Sequence, residues 1–167
     1  MTFFITVLFI SLYYVVGQNV DHPRFEYLGS SISDNFEEWR YYASSFPGIW
    51  CSAIQDCIDT FGPAGHLVSI ETEEEALWIN EWLERRGSGG ATYWTSGIYV
   101  NINSDWMWAS GFGKYVNFTA WNSGEPVSLP NNHHRIVLVH RNQFTSGWSA
   151  KYDSEIFRYI CEVRVRK

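Results

Sequence analysis

The run Trp121-Asn122-Ser123-Gly124-Glu125-Pro126 puts an indole, an amide and a carboxylate into one short polar segment. Rings stack or pack on a ligand, and amides and carboxylates hydrogen-bond its polar groups. Asn131 and Asn132 add further amides downstream, and Phe144 and Trp148 add further rings. Together with Trp121, Asn122 and Glu125 they form the candidate ligand-binding set. His133, His134 and His140 lie close in sequence, and imidazole suits zinc or copper. No Cys or carboxylate stands near them at metal-site spacing, and adjacent histidines on a strand point to opposite faces. They read as surface or packing histidines, with no metal and no cofactor. The sequence contains no Gly-x-Ser-x-Gly elbow, no His-Glu-x-x-His, no phosphate-binding glycine loop and no dinucleotide fingerprint. The expected chemistry is recognition, not catalysis.

A chain of 167 residues suffices for one domain with a substantial core. Residues 1–17 are apolar and uncharged and read as a signal peptide. The alternative is a membrane anchor, for which the stretch is short and lacks basic flanks. A polar lead-in over 18–23 and a domain over 24–167 follow, so a secreted, extracellular chain with no span in its mature form is expected. The formal net charge of −6, from 18 acidic and 12 basic residues, argues against a nucleic-acid partner. Aromatics make up 18% of the chain, with nine Trp. Most must pack the core, which leaves some rings for ligands. Asn117-Phe118-Thr119 is a glycosylation sequon.

The elements that must position these residues follow from periodicity. Arg24 to Leu28 and Trp39 to Ala43 read as strands. Trp50, Ala53, Ile54 and Cys57 share one helix face, and Gly62-Pro63 stops that helix. Thr72 with Glu75 forms a capping box opening a second helix, whose inner face carries Ala76, Ile79 and Leu83. Its acidic first turn and its Arg85-Arg86 end suit the helix dipole. Later strands are expected over 93–97, 106–109, 135–140 and 156–163. Gly111 to His134 is left as a long irregular stretch rich in Gly, Asn, Ser and Pro, and a loop of that length is usually functional.

Several ordered signatures resemble the C-type lectin-like domain. They are Trp50-x-x-Ala53-x-x-x-Cys57, Gly65-His66-Leu67-x-Ser69-Ile70, Glu75 with Ile79, Tyr93-Trp94-Thr95-Ser96-Gly97, Trp106-x-Trp108-x-x-Gly111, the Gly124-Glu125-Pro126 run and Tyr159-Ile160-Cys161-Glu162. The resemblance implies an α+β fold, with two helices flanking small antiparallel sheets and a long irregular loop region. It also implies a disulfide between Cys57 and Cys161. Cys51 is left over, either a buried thiol near the first helix or a disulfide to a second chain.

The departures from the family pattern are concerted. The resemblance places the two cysteines of a loop-closing bridge at Arg135 and Asp153, and these two are expected to face each other as an ion pair. A long loop closed by such a pair, worth about 0–1 kcal/mol when exposed, should be more mobile than one closed by a disulfide. At the family's calcium and sugar site Glu125 is kept, but Val127 replaces Asn, His133 stands where an acidic ligand is expected, and Ser149-Ala150 replace Asn-Asp. Val and Ala carry no side-chain oxygen, so the calcium site is expected to be lost. The peptide bond before Pro126 is expected to be cis by the resemblance. The implied function is a secreted recognition protein for carbohydrate or other surface ligands, without calcium, in innate defence. The alternative is a protein-interaction subunit of a dimer linked through Cys51.

Overall fold

The computed structural model describes residues 22–32, 37–100, 105–110, 113–127, 133–142 and 144–165. Residues 1–17, read above as a signal peptide, and most of the 18–23 lead-in lie outside them. Strands β1 (Phe25–Ile32) and β2 (Glu38–Ser44) form an antiparallel pair, and β2 also pairs antiparallel with the last strand. Helix α1 (Trp50–Phe61) follows, then β3 (Gly65–Leu67) and helix α2 (Glu73–Arg85). The remaining strands are β4 (Thr92–Val100), β5 (Asp105–Trp108), β6 (Lys114–Tyr115), β7 (His134–Val139), β8 (Gly147–Tyr152) and β9 (Arg158–Val165). In the sheet β1, β2, β9, β4, β5 and β6 are successive neighbours. β3 adds to β9, and β8 joins through β7 to β4. β4 and β9 run parallel and every other pairing between these strands is antiparallel among the described residues, so the sheet is mixed.

Two helices can share this sheet because successive residues of a strand face opposite sides. Tyr41, Ala43, Tyr93, Ile136, Leu138 and Ile160 join the cluster beneath α2, with Ala76, Ile79 and Leu83 of that helix. Their alternates Tyr42, Trp94, Val137, Tyr159 and Cys161 join the cluster around Trp50, Ala53 and Cys57 of α1. The Cys57–Cys161 disulfide, with Cα atoms 5.7 Å apart, ties α1 to β9 across a sequence separation of 104. In the chain-entropy account, closing a loop of that length is worth about 4.7 kcal/mol.

The helix ends are satisfied in different ways. α1 has no side-chain cap, and the backbone N–H of Trp50 donates to the carbonyl of Asp153 at 3.1 Å. In α2 the Thr72 hydroxyl accepts from the Glu75 N–H at 3.1 Å. The reciprocal half of the capping box is displaced by one residue, since the Glu75 carboxylate accepts from the N–H of Glu71 at 2.8 Å. The reason is a second demand on that carboxylate, which also accepts from the Tyr41 hydroxyl at 3.0 Å. Among the described residues no helix is long and apolar enough to cross a membrane.

Candidate functional site

Strand β8 carries the site, although the composition of Gly147–Tyr152 gives little sign of a strand. β7 covers one of its edges, and residues 120–122 cover the other. Trp148 N–H donates to the Ala120 carbonyl at 2.7 Å, and Asn122 N–H donates to the Trp148 carbonyl at 2.9 Å. Gly147 permits that approach, because a Cβ there would meet Asn122 Oδ1 at 2.7 Å and the Ala120 carbonyl oxygen at 3.0 Å. Trp148 is a correction to the ligand set. It is 0% exposed, with its ring edge-on to Trp108, Phe118 and Trp121 at 5.5, 5.5 and 5.7 Å. A ring enclosed this way packs the core and cannot stack on a ligand. Trp121 is half-buried and also tilts against Trp106.

Beyond Asn122 the chain turns. Glu125 N–H donates to the Asn122 carbonyl at 3.0 Å, Gly124 takes a φ of 81°, and the Glu125–Pro126 bond is cis. The Glu125 carboxylate folds back onto the scaffold, where Oε2 accepts from the N–H of Val127 and from that of Ala150, each at 3.1 Å. Val127 is exposed and brings no side-chain oxygen, and Ala150 is buried in β8. The Ser149 hydroxyl accepts from Asn122 Nδ2 at 3.1 Å. Among the described residues no group of three His, Cys, Asp or Glu side chains is arranged to hold a metal ion.

The 141–146 turn supplies polar groups that the sequence reading passed over. Arg141 Nη1 donates to Asn122 Oδ1 at 3.0 Å and to the Thr145 carbonyl at 3.3 Å. Asn142 Oδ1 accepts from the N–H groups of Phe144 and Thr145, both at 2.9 Å, and this side-chain turn presents the Phe144 ring 84% exposed. Only adjacency to Phe144 marked these residues in the sequence. The structure thus brings Trp121, Asn122, Glu125, Arg141 and Ser149 together, and holds Phe144 farther along the same turn. Asn131 and Asn132 lie outside the described residues, and Asn117 is exposed.

At the opposite end of β8, Arg135 Nη2 lies 3.2 Å from Asp153 Oδ2. The Asp153 carboxylate also receives His133 Nδ1 at 3.1 Å, and the Arg135 guanidinium lies 4.4 Å from the centroid of the Trp50 ring. The pair is more enclosed than a surface bridge, at 14% and 22% exposed. Cys51, in the first turn of α1, is free and exposed, which removes the buried-thiol alternative.

His134 and His140 are buried. His134 packs between Tyr99 and Tyr152, while His140 Nδ1 lies 3.1 Å from both Asn80 Oδ1 and Ser146 Oγ. Burial lowers the pKa of each. Two carboxyls, one at the start of α2 and one on β9, move the other way. Burial pushes Glu75 up to about 7 and raises Glu162 well above the usual carboxylate range.

The family model for the lectin C-type domain matches residues 49–163. Human C-type lectin domain family 4 member K is 33% identical over 124 residues, which cover 73% of this chain and 35% of that protein. The chain therefore spans about a third of that relative's length. Among solved structures, human lithostathine superposes with a TM-score of 0.66 at 22% identity, covering 82% of this chain and 89% of its own. The carbohydrate-recognition domain of the mouse scavenger receptor C-type lectin superposes with a TM-score of 0.63 at 24% identity, covering 87% and 97%.

Proposed function

This chain belongs to the C-type lectin domain family, and from that membership we propose that it is a secreted, non-enzymatic recognition protein that binds glycans without calcium. The observation that carries the reading is the use made of Glu125. Calcium takes six to eight oxygen ligands, yet Oε2 of this carboxylate already accepts from the N–H groups of Val127 and Ala150. Val127 and Ala150 offer no side-chain oxygen, and the Ser149 hydroxyl is held by Asn122. Among the described residues this donor set falls short of what the metal needs, which supports the calcium-free reading. Glycan contact then falls to Asn122, Arg141 and Asn142, with Trp121 and Phe144 as apolar faces. Family relationship favours carbohydrate on microbial or cell surfaces, in innate defence. The Cys57–Cys161 disulfide suits an oxidising extracellular compartment.

A glycan array run with and without chelator tests this. Binding that persists in chelator and falls in Arg141→Ala and Asn122→Ala supports the reading. Binding abolished by chelator, or no glycan bound at all, overturns it. Cys51 favours a second reading, because an exposed free thiol at the start of a helix is open to a disulfide with another chain. On a non-reducing gel a dimer lost in Cys51→Ser supports that reading, and a monomer removes it.

A further inference from the structure

Helix α2 presents two unlike sides. Ala76, Ile79, Asn80 and Leu83 are buried, whereas Glu74, Leu77, Trp78 and Glu81 run along the outer flank at i, i+3, i+4 and i+7. Phe144 faces this stripe from the 141–146 turn, and the five side chains line an open groove of about 350 Å³. Exposed apolar side chains scattered singly are ordinary, but here they converge. Leu77 is 54% exposed. Trp78 is held in place from behind, edge-on to Tyr41 at 4.8 Å and against Trp82 at 4.1 Å. Phe144 is held out by the Asn142 side-chain turn.

The charged groups of the groove are both carboxylates. Glu74 and Glu81 are seven residues apart, which separates them by about 10 Å along the helix axis. No Lys, Arg or His lines the groove. Glu81 has one partner, Arg85 at 2.5 Å, in an exposed i,i+4 pair of little energetic weight. The geometry points to a docking site for a basic peptide segment, one that presents an apolar side chain flanked by Lys or Arg. The apolar side chain enters between Leu77, Trp78 and Phe144, and the flanking cations meet Glu74 and Glu81. The Trp78 ring adds a face for a cation. The formal charge of −6 steers such a segment inward and repels acidic ones. A neutral sugar fits less well, because it needs donors and acceptors around the ring and the groove offers two carboxylates separated by an apolar floor. The site goes beyond the glycan reading; the two share Phe144, but the variants that test the groove, at Glu74, Leu77 and Glu81, lie outside the glycan set, and neither Asn122 nor Arg141 lines the groove, so the two tests can fail separately.

The test is fluorescence anisotropy on the full chain, with a labelled synthetic peptide of Lys and Leu and its counterpart with Glu for Lys. Saturable binding of the Lys-Leu peptide is expected, weakening with salt, with the Glu-Leu peptide silent. Leu77→Ser, and Glu74→Gln with Glu81→Gln, should each weaken it about tenfold, or 1.4 kcal/mol. All three positions lie on the outer flank, so an unchanged urea midpoint will show that the variants fold. No saturable binding, equal binding of the Glu-Leu peptide, or unchanged affinity in the variants overturns the proposal. Displacement of the peptide by neutral oligosaccharides, reversed by Leu77→Ser, would assign the groove to glycan instead.

Discussion

Replacing Glu125 with Ala separates a carboxylate that frames a loop from one that holds a metal. In the wild type Oε2 accepts two backbone N–H groups at 3.1 Å. The Val127 amide is in an exposed residue and can turn to water when the carboxylate goes. The Ala150 amide belongs to a buried residue, and a buried donor left without a partner costs about 1–3 kcal/mol. With a few tenths for the exposed bond, the expected loss is about 2 kcal/mol, a fall in Tm of about 6 °C for a domain of this size. Glu125→Gln keeps an acceptor oxygen and should lose less than about 1 kcal/mol. Urea and thermal unfolding by circular dichroism measure both, in millimolar calcium and in chelator. The difference between wild type and Glu125→Ala should be the same in the two conditions. Calcium that raises the wild-type Tm but not that of the variant would refute the reasoning, because only a metal held by Glu125 produces that pattern. An unchanged urea midpoint for Glu125→Ala would refute the framing role.

Three further outcomes follow from the scaffold. Reduction of Cys57–Cys161 should lower stability by about 4–5 kcal/mol, read from urea unfolding with and without reductant. A double-mutant cycle on Arg135→Ala and Asp153→Ala should give a coupling of about 1 kcal/mol, and zero coupling would show that the pair does not close the loop. Glu75 has a folded pKa raised to about 7, above its unfolded value, so the folded state holds the extra proton. Its destabilising effect is full above pH 7 and is relieved as pH falls from there toward the unfolded carboxylate value. His134 and His140, with lowered pKa values, act oppositely and lose stability as pH falls through the unfolded histidine value. The Glu75 contribution is therefore read as the difference between wild type and Glu75→Gln, which should shrink as pH falls from 8 to about 5.

The helices and the strands with strong apolar patterns were legible, because Trp50-Ala53-Cys57 and Ala76-Ile79-Leu83 each follow a helix face, and 135–139 is a run of β-formers. β8 was not, since Gly147, Ser149, Ala150 and Lys151 have little strand preference on their own. That strand exists because β7 and residues 120–122 hold its two edges, a tertiary fact with no local signature. The misreading of Trp148 follows directly, as an indole beside polar loop residues resembles a ligand platform until both sides of its strand are known to be covered. Glu125 was legible as a retained residue, but its partners Val127 N–H and Ala150 N–H are backbone groups that carry no mark in the sequence. Arg141 and Asn142 went unnoticed because their roles depend on a turn geometry shared with Phe144. The groove on α2 was obscured by the reading of Glu73 to Glu75 as helix-end design, which accounts for the dipole and leaves Leu77 and Trp78 unexplained.

The central strands are a wall common to two rooms. β9 sends Tyr159 and Cys161 to one and Ile160 to the other, and β2 does the same with Tyr42 against Tyr41 and Ala43. A slip of one residue would exchange the furnishings of both rooms at once and pull Cys161 away from Cys57. The register is therefore fixed by two incompatible sets of shapes and by a covalent bond, and of residues 120–127 and 141–146 Ala120 and Trp121 are the ones that pack against either set. An anchorage of that kind leaves the exposed residues of 123–127 and 141–146 free to vary, and Val127, exposed and without a side-chain oxygen, is the kind of residue it permits there.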